Sequence, residues 1–282
     1  MFDTTANNPR IPTFLRSVLA LECSVVLMAA ILLYLFPSQA AQFWAWSVPP
    51  FNSRFVGAIY FAAYVPLLIF WLSSRWTPGR FILWLILVFT TLVMLVMFVH
   101  WQAFAWDRFS TCLIFWPLYI FLPINSTVFL VKSRGFQLTH PIQMPGLWRA
   151  TLLFIALVGT GYGLGMLIAP EAMTGFWPWK VDAFHGRIYA SAFLTPAAGA
   201  WILIRRSGAA SEYLTFGLNL LTGGFLPVLG TLLTHLSVPP EKQVNFAVPG
   251  TWFFFGLFLL TGFLGAVQIV LAYQHKNPLK PK

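Results

Sequence analysis

Eight long apolar blocks, separated by short polar links, run along the chain at approximately 17–36, 55–73, 81–101, 111–131, 150–168, 188–204, 213–236 and 251–273. Each approaches the roughly 20 residues that a helix needs to cross the hydrocarbon layer. Lipid offers no partner to an unpaired backbone group, so blocks of this kind predict helices rather than irregular chain. The pattern predicts an all-α integral membrane protein with eight transmembrane helices.

Composition agrees with that pattern. Apolar residues make up 59% of the chain and charged residues only 9%, against the roughly 25% charged that is usual in soluble domains. The first block resembles a signal peptide in being followed by Ser38 and Ala40. However, it is longer than the roughly 7–15 residues of a signal h-region, and it reads as a retained span.

The links hold an internal repeat. Residues 37–54 (PSQAAQFWAWSVPPFNSR) and 170–187 (PEAMTGFWPWKVDAFHGR) share seven residues at an offset of 133: Pro37/Pro170, Phe43/Phe176, Trp44/Trp177, Trp46/Trp179, Val48/Val181, Phe51/Phe184 and Arg54/Arg187. Pro12 and Arg16 match Pro145 and Arg149 at the same offset, and His100 matches His235 at an offset of 135. The chain therefore divides into an N-terminal tail (1–13), a four-helix repeat (14–132), a linker (133–146), a second four-helix repeat (147–274) and a C-terminal tail (275–282). An even number of spans per unit gives both repeats the same orientation. They are expected to be related by a pseudo-twofold axis along the membrane normal. Gly159, Gly161, Gly163 and Gly165 in span five, and Gly217, Gly223, Gly224 and Gly230 in span seven, suit close helix contact. The string GTGYGLG follows no strand and lies inside a span, which excludes a dinucleotide fingerprint.

The net charge of +10 changes the picture only through its placement. With the termini cytoplasmic, that side holds twelve basic residues (Arg10, Arg16, Arg75, Arg80, Lys132, Arg134, Arg149, Arg205, Arg206, Lys276, Lys280 and Lys282). The other side holds five, namely Arg54, Arg108, Lys180, Arg187 and Lys242. This is the positive-inside bias. It predicts a multi-pass protein of the cell membrane with both termini cytoplasmic. Membrane lipids are the expected partners, along with a membrane-protein partner or oligomer, and nucleic acid is not. Cys23 and Cys112 lie at different depths, too far apart for a disulfide.

Four groups of residues are candidates for chemistry. Trp44, Trp46, Trp177 and Trp179 in the repeated loops suit a headgroup belt, or a pair of aromatic-lined pockets beneath the loops. Arg54 and Arg187 each open a span beside His185 or its counterpart Asn52. There they suit a phosphate or carboxylate, or pairing with Asp182 or Asp107. His100 and His235 stand at equivalent places near the outer ends of spans three and seven. Paired histidines are what a haem, a chlorophyll-type pigment or a shared metal requires. Glu22 is the one acid well inside a span, with Ile155 as its counterpart, and is a candidate proton relay or a partner of Arg16. Asn125, Asn219, Gln268, Thr90 and Thr91 read as interhelical hydrogen-bonding groups, and Pro66, Pro117, Pro123, Pro196 and Pro227 as kinks. There is no Ser/His/Asp or Cys/His arrangement, phosphate loop or carboxylate pair, so the chain reads as non-enzymatic.

The strings FWAWSVPPFNSRFVGAIY and FWPWKVDAFHGRIYASAF resemble a loop found in uncharacterised bacterial multi-pass proteins, F-W-P-W-x-L-T-P-L-x-A-R followed by a Gly/Ala-rich span. This chain has Pro49-Pro50 and Asp182-Ala183 in place of the Thr-Pro pair. The resemblance implies bacterial origin and topology, and no activity. The leading expectation is a membrane protein that binds a hydrophobic or anionic, lipid-like ligand or a partner subunit at its outer face. A small transporter with a pathway between the repeats and a haem- or pigment-binding subunit are the alternatives.

Overall fold

The computed structural model describes residues 8–136 and 141–276. Parts of both tails and of the linker, with Lys280 and Lys282, lie outside the described residues. Among the described residues ten α-helices follow in order: α1 (Thr13–Leu35), α2 (Pro37–Phe43), α3 (Pro50–Ser73), α4 (Trp76–Val99), α5 (Trp116–Lys132), α6 (Gly146–Ile168), α7 (Pro170–Met173), α8 (Ala183–Arg206), α9 (Ala210–Ser237) and α10 (Pro249–Lys276). A π-helical turn, Ser110–Phe115, leads into α5. All but α2 and α7 are long and apolar enough to cross a membrane, with α5 counted from Ser110. The protein is an all-α multi-pass membrane protein.

Most spans begin a few residues before the apolar blocks do, because prolines and polar residues set their starts. Pro12 and Pro145 cap α1 and α6, while Pro37 and Pro170 open α2 and α7. A helix's first turn has no use for the missing N–H, and proline's fixed φ suits it. The matched helices α3 and α8 start in two different ways. Pro49 and Pro50 rigidify the entry to α3, whereas in α8 the Asp182 side chain accepts the His185 N–H at 2.9 Å. Both second spans end on a left-handed serine, Ser74 (φ 48°) and Ser207 (φ 51°), again 133 residues apart.

The eight spans form two rows of four. One row is α1, α3, α9, α10; the other is α5, α4, α8, α6. Each half therefore gives its first two spans to one row and its last two to the other, and the pseudo-twofold exchanges the rows. Two aromatic and aliphatic clusters close the ends of the bundle. One lies at the repeated loops and is built around Trp46, Phe55, Phe104 and Tyr189; the other lies near the chain's first described residues, around Leu15, Phe70, Phe81 and Phe216. Residues such as Leu21, Leu147, Ile168 and Leu236 are exposed around the perimeter, where lipid covers them.

Glycine sets the closest approaches. A Cβ on Gly224 would lie 2.2 Å from the Gly262 backbone nitrogen, and one on Gly217 would lie 3.0 Å from the Gly265 carbonyl. The α9–α10 contact thus depends on both helices being bare there, including two glycines in span eight that the small-residue pattern had not singled out. Gly224→Ala is expected to force the helices apart and to cost about 1–3 kcal/mol as an overpacked contact. Gly256→Ala, where nothing lies within 4 Å of the added carbon, is expected to leave stability unchanged. Unfolding titrations in mixed micelles measure the difference.

Candidate functional site

The two repeated arginines are structural braces. Arg54 Nε donates to the Tyr34 carbonyl at 3.2 Å, and its Nη1 donates to Thr234 Oγ1 at 2.9 Å and Ser237 Oγ at 3.2 Å. Arg187 Nε donates to the Leu167 carbonyl at 3.0 Å, and its Nη1 meets His100 Nε2 at 2.9 Å. Tyr34 and Leu167 are themselves 133 residues apart. Each arginine ties the end of its own half's first span to the loop end of the other half's third span. Neither pairs with Asp107 or Asp182 among the described residues, because the open carbonyls of a helix end lie closer to hand.

The tryptophans fold inward. Trp44, Trp46 and Trp177 are buried and Trp179 is half-buried. They pack edge-on to one another at 5.2 Å within each loop, and Trp46 contacts Phe104, Phe115 and Phe184. A headgroup belt would leave the indoles at the perimeter. Here the loops turn back over the bundle, and the rings fill the space between span ends.

The two loops differ in polarity. In the second, Trp177 Nε1 donates to Tyr162 Oη at 2.9 Å. Trp179 Nε1 donates to Asn52 Oδ1 at 2.7 Å. In the first, the Trp44 and Trp46 indole N–H groups have no partner among the described residues, and the same holds for His185 Nε2. The repeat sets Trp46 and His185 in the places that Trp179 and Asn52 occupy. Asp182 Oδ2 lies 2.7 Å from His185 Nδ1, which leaves Nε2 as the ring's open nitrogen. Burial raises the Asp182 carboxyl, but the hydrogen bonds and charge of His185 outweigh it and hold it at about 2.

The histidines at the span ends are also engaged. His100 contacts Arg187, and its ring lies 5.3 Å from Phe184. Burial and the neighbouring guanidinium lower its pKa below 6.5, with Asp182 acting in the opposite direction. His235 Nδ1 accepts from the Val244 N–H at 3.1 Å. Among the described residues no group of three His, Cys, Asp or Glu side chains is placed to hold a metal ion. Cys23 and Cys112 are both free.

Glu22 stands apart from all of these. It is 5% exposed, and it lines a cavity of about 460 Å³ between the two rows that all eight spans help to wall. That volume lies within the roughly 300–1,000 Å³ of small-molecule sites. The lining is overwhelmingly apolar. Its one charged side chain, Glu22, and its tyrosine hydroxyls, the pair Tyr60–Tyr119 with oxygens 2.9 Å apart, belong to the first half, while Ser110, Thr90, Thr195, Asn219 and Thr261 add polar groups from both halves. The counterparts of Glu22 and Tyr60 are Ile155 and Phe193, both on the wall and both apolar. Asn219, also on the wall, is occupied by the Ala62 carbonyl at 2.8 Å.

The cavity reaches the perimeter at two seams. Lining residues Met28 and Ile114 are exposed at the α1–α5 seam, and Phe154 and Leu260 at the α6–α10 seam. Near the terminal end the seams are bridged by the Phe14–Phe129 ring contact and the Trp148–Gln268 hydrogen bond, and near the loop end by Ser110 Oγ donating to the Phe43 carbonyl and by the Phe176–Phe253 ring contact. The π-helical turn lies along the first seam, with Ser110 and Phe115 also on the wall. Sequence reasoning had found Glu22 as a lone intramembrane acid. The cavity and the tyrosine pair had no sequence signal, since the tyrosines come from different spans and a void is the sum of many side-chain shapes. No family model, curated protein or solved structure matches the chain.

Proposed function

We propose that this chain binds a lipid-like amphiphile in the cavity between its two rows of helices, at bilayer depth rather than at its outer face. The supporting observation is the apolar cavity itself. It is flanked at both ends of the bundle by packed clusters, and its lining is exposed along the two seams and at Phe43 of α2. A ligand that enters sideways leaves lipid for an equally apolar lining, so chain burial gives little net drive and polar contacts within set selectivity. The distribution of basic residues favours a cytoplasmic location for the terminal end, with the repeated loops facing outward.

The test is photolabelling in nanodiscs with an alkyl chain bearing a diazirine, mapped by mass spectrometry. Label is expected on cavity residues such as Met28 and Phe154, and it is expected to disappear in Ala63→Trp/Ala192→Trp, which fills the cavity from α3 and α8. Label spread evenly over the perimeter, or unchanged in a filled variant that elutes and melts like the wild type, would overturn the reading.

Transport is a second reading, and one observation favours it. Pro66, Pro196 and Pro227 interrupt α3, α8 and α9 on the cavity wall itself. Bends there place the movable parts of three central helices beside the ligand. Transfer of a labelled amphiphile between leaflets of proteoliposomes, absent in the filled variant, would distinguish transport from binding.

A further inference from the structure

We propose that Glu22 is the counter-ion for a lipophilic amine, so that the cavity takes an alkylammonium with one long apolar chain. The proposal rests on the cavity reading above and names the ligand class of that site. Glu22 is the tenth residue of α1, about 14 Å from the helix start at the usual rise. Among the described residues no cation and no hydrogen-bond donor meets its carboxyl. Arg16, the partner expected from sequence, makes no ion pair with it. An intramembrane acid without a partner is costly to keep, and the cost is removed when a ligand supplies the opposite charge.

The surroundings fit an ammonium group better than other headgroups. Tyr119 lines the same cavity as Glu22, and its ring packs 4.5 Å from Phe115 and 6.5 Å from Phe89. These rings offer cation–π contact. In the Tyr60–Tyr119 pair only one hydroxyl hydrogen is used, and lone pairs remain to accept from an ammonium, which brings three donors. A metal ion would need several oxygen ligands, and Glu22 is the one carboxylate on the wall. An anionic headgroup would meet Glu22 as a like charge. The repeat is asymmetric in the same sense: Ile155 and Phe193 stand where the first half has Glu22 and Tyr60, so the charge lies on one side of the cavity only.

The experiment compares two probes of equal chain length, NBD-tagged dodecylamine and NBD-tagged dodecan-1-ol. Each is titrated into the full-length protein in zwitterionic nanodiscs, with empty discs as background. The wild type is expected to bind the amine at least about tenfold more tightly than the alcohol, the factor of a charge-assisted hydrogen bond. Glu22→Gln is expected to abolish that preference. Equal binding of the two probes by the wild type would overturn the counter-ion assignment while leaving the cavity reading in place. Binding of neither probe above the empty-disc background would overturn both. If Glu22→Gln fails to fold, the wild-type preference together with its loss in Tyr119→Leu still decides the matter.

Discussion

Replacing Glu212 by alanine is expected to destabilise the protein by about 3 kcal/mol, toward the low end of the 3–5 kcal/mol for breaking a buried ion pair. Glu212 is fully buried in the first turn of α9. Its Oε1 accepts from Arg206 Nη2 at 2.7 Å and its Oε2 accepts from the Ala209 N–H at 3.1 Å. The carboxylate thus closes the turn between α8 and α9 from both sides. Without it Arg206 loses its anion, and a helix N–H that a glutamate in the first turn had met is left open. Arg206 retains 27% side-chain exposure and can rehydrate in part, which sets the low end of the range. Glu212→Gln keeps an acceptor for Ala209 but not the charge, and is expected to fall about midway. The same loss from both variants in SDS unfolding titrations would show that the charge alone matters. An alanine variant as stable as the wild type would refute the brace.

That turn shows where the sequence was readable and where it was not. The spans were legible because lipid demands unbroken apolar length, and the repeat because Trp, Pro and Arg recur in order. The matched serines at 74 and 207 lie 133 residues apart, whereas His100 and His235 lie 135 apart. Two extra residues thus lie between Ser207 and His235, and the turn that Glu212 closes (207–209) is one residue longer than its counterpart (74–75). The first half closes its own turn differently, with Asn8 accepting the Thr77 N–H at 3.0 Å and donating to the Thr77 carbonyl at 3.1 Å. Nothing in the hydrophobic pattern announced either device. Nor did it announce the sorting of each half into two rows, since spans apolar on many faces do not say which face meets a neighbour. The tryptophans misled for a related reason. Composition placed them at an interface, but the loops that carry them turn inward, and burial wins once a cluster of rings is there to receive them.

Arg187→Ala is expected to cost about 3 kcal/mol or more, from two hydrogen bonds with a charged donor at roughly 1.5–3 kcal/mol each. It leaves the Leu167 carbonyl at the end of α6 unmet and frees the end of α4 from α8. Arg187→Lys is expected to recover little, because one ammonium cannot span a carbonyl and an imidazole that a guanidinium reaches with two separate nitrogens. Arg54→Ala removes the equivalent brace, and the loss should be of similar size. Acid tells the two apart. The folded state holds His100 below its ordinary 6.5 through burial and the Arg187 charge. The unfolded chain therefore takes up the proton first, and wild-type stability falls as pH drops below about 6.5. Removing Arg187 takes away one of the two causes, so the acid-induced loss should shrink in Arg187→Ala and in Arg187→Ala/Arg54→Ala. It should persist in Arg54→Ala, whose partners Thr234 and Ser237 do not titrate. Stability measured from pH 8 to pH 5 gives the comparison. A wild-type slope retained without Arg187 would mean that His100 owes its low pKa to burial alone. A slope lost without Arg54 would mean that the two ends of the repeat are coupled through the aromatic cluster that lies between them.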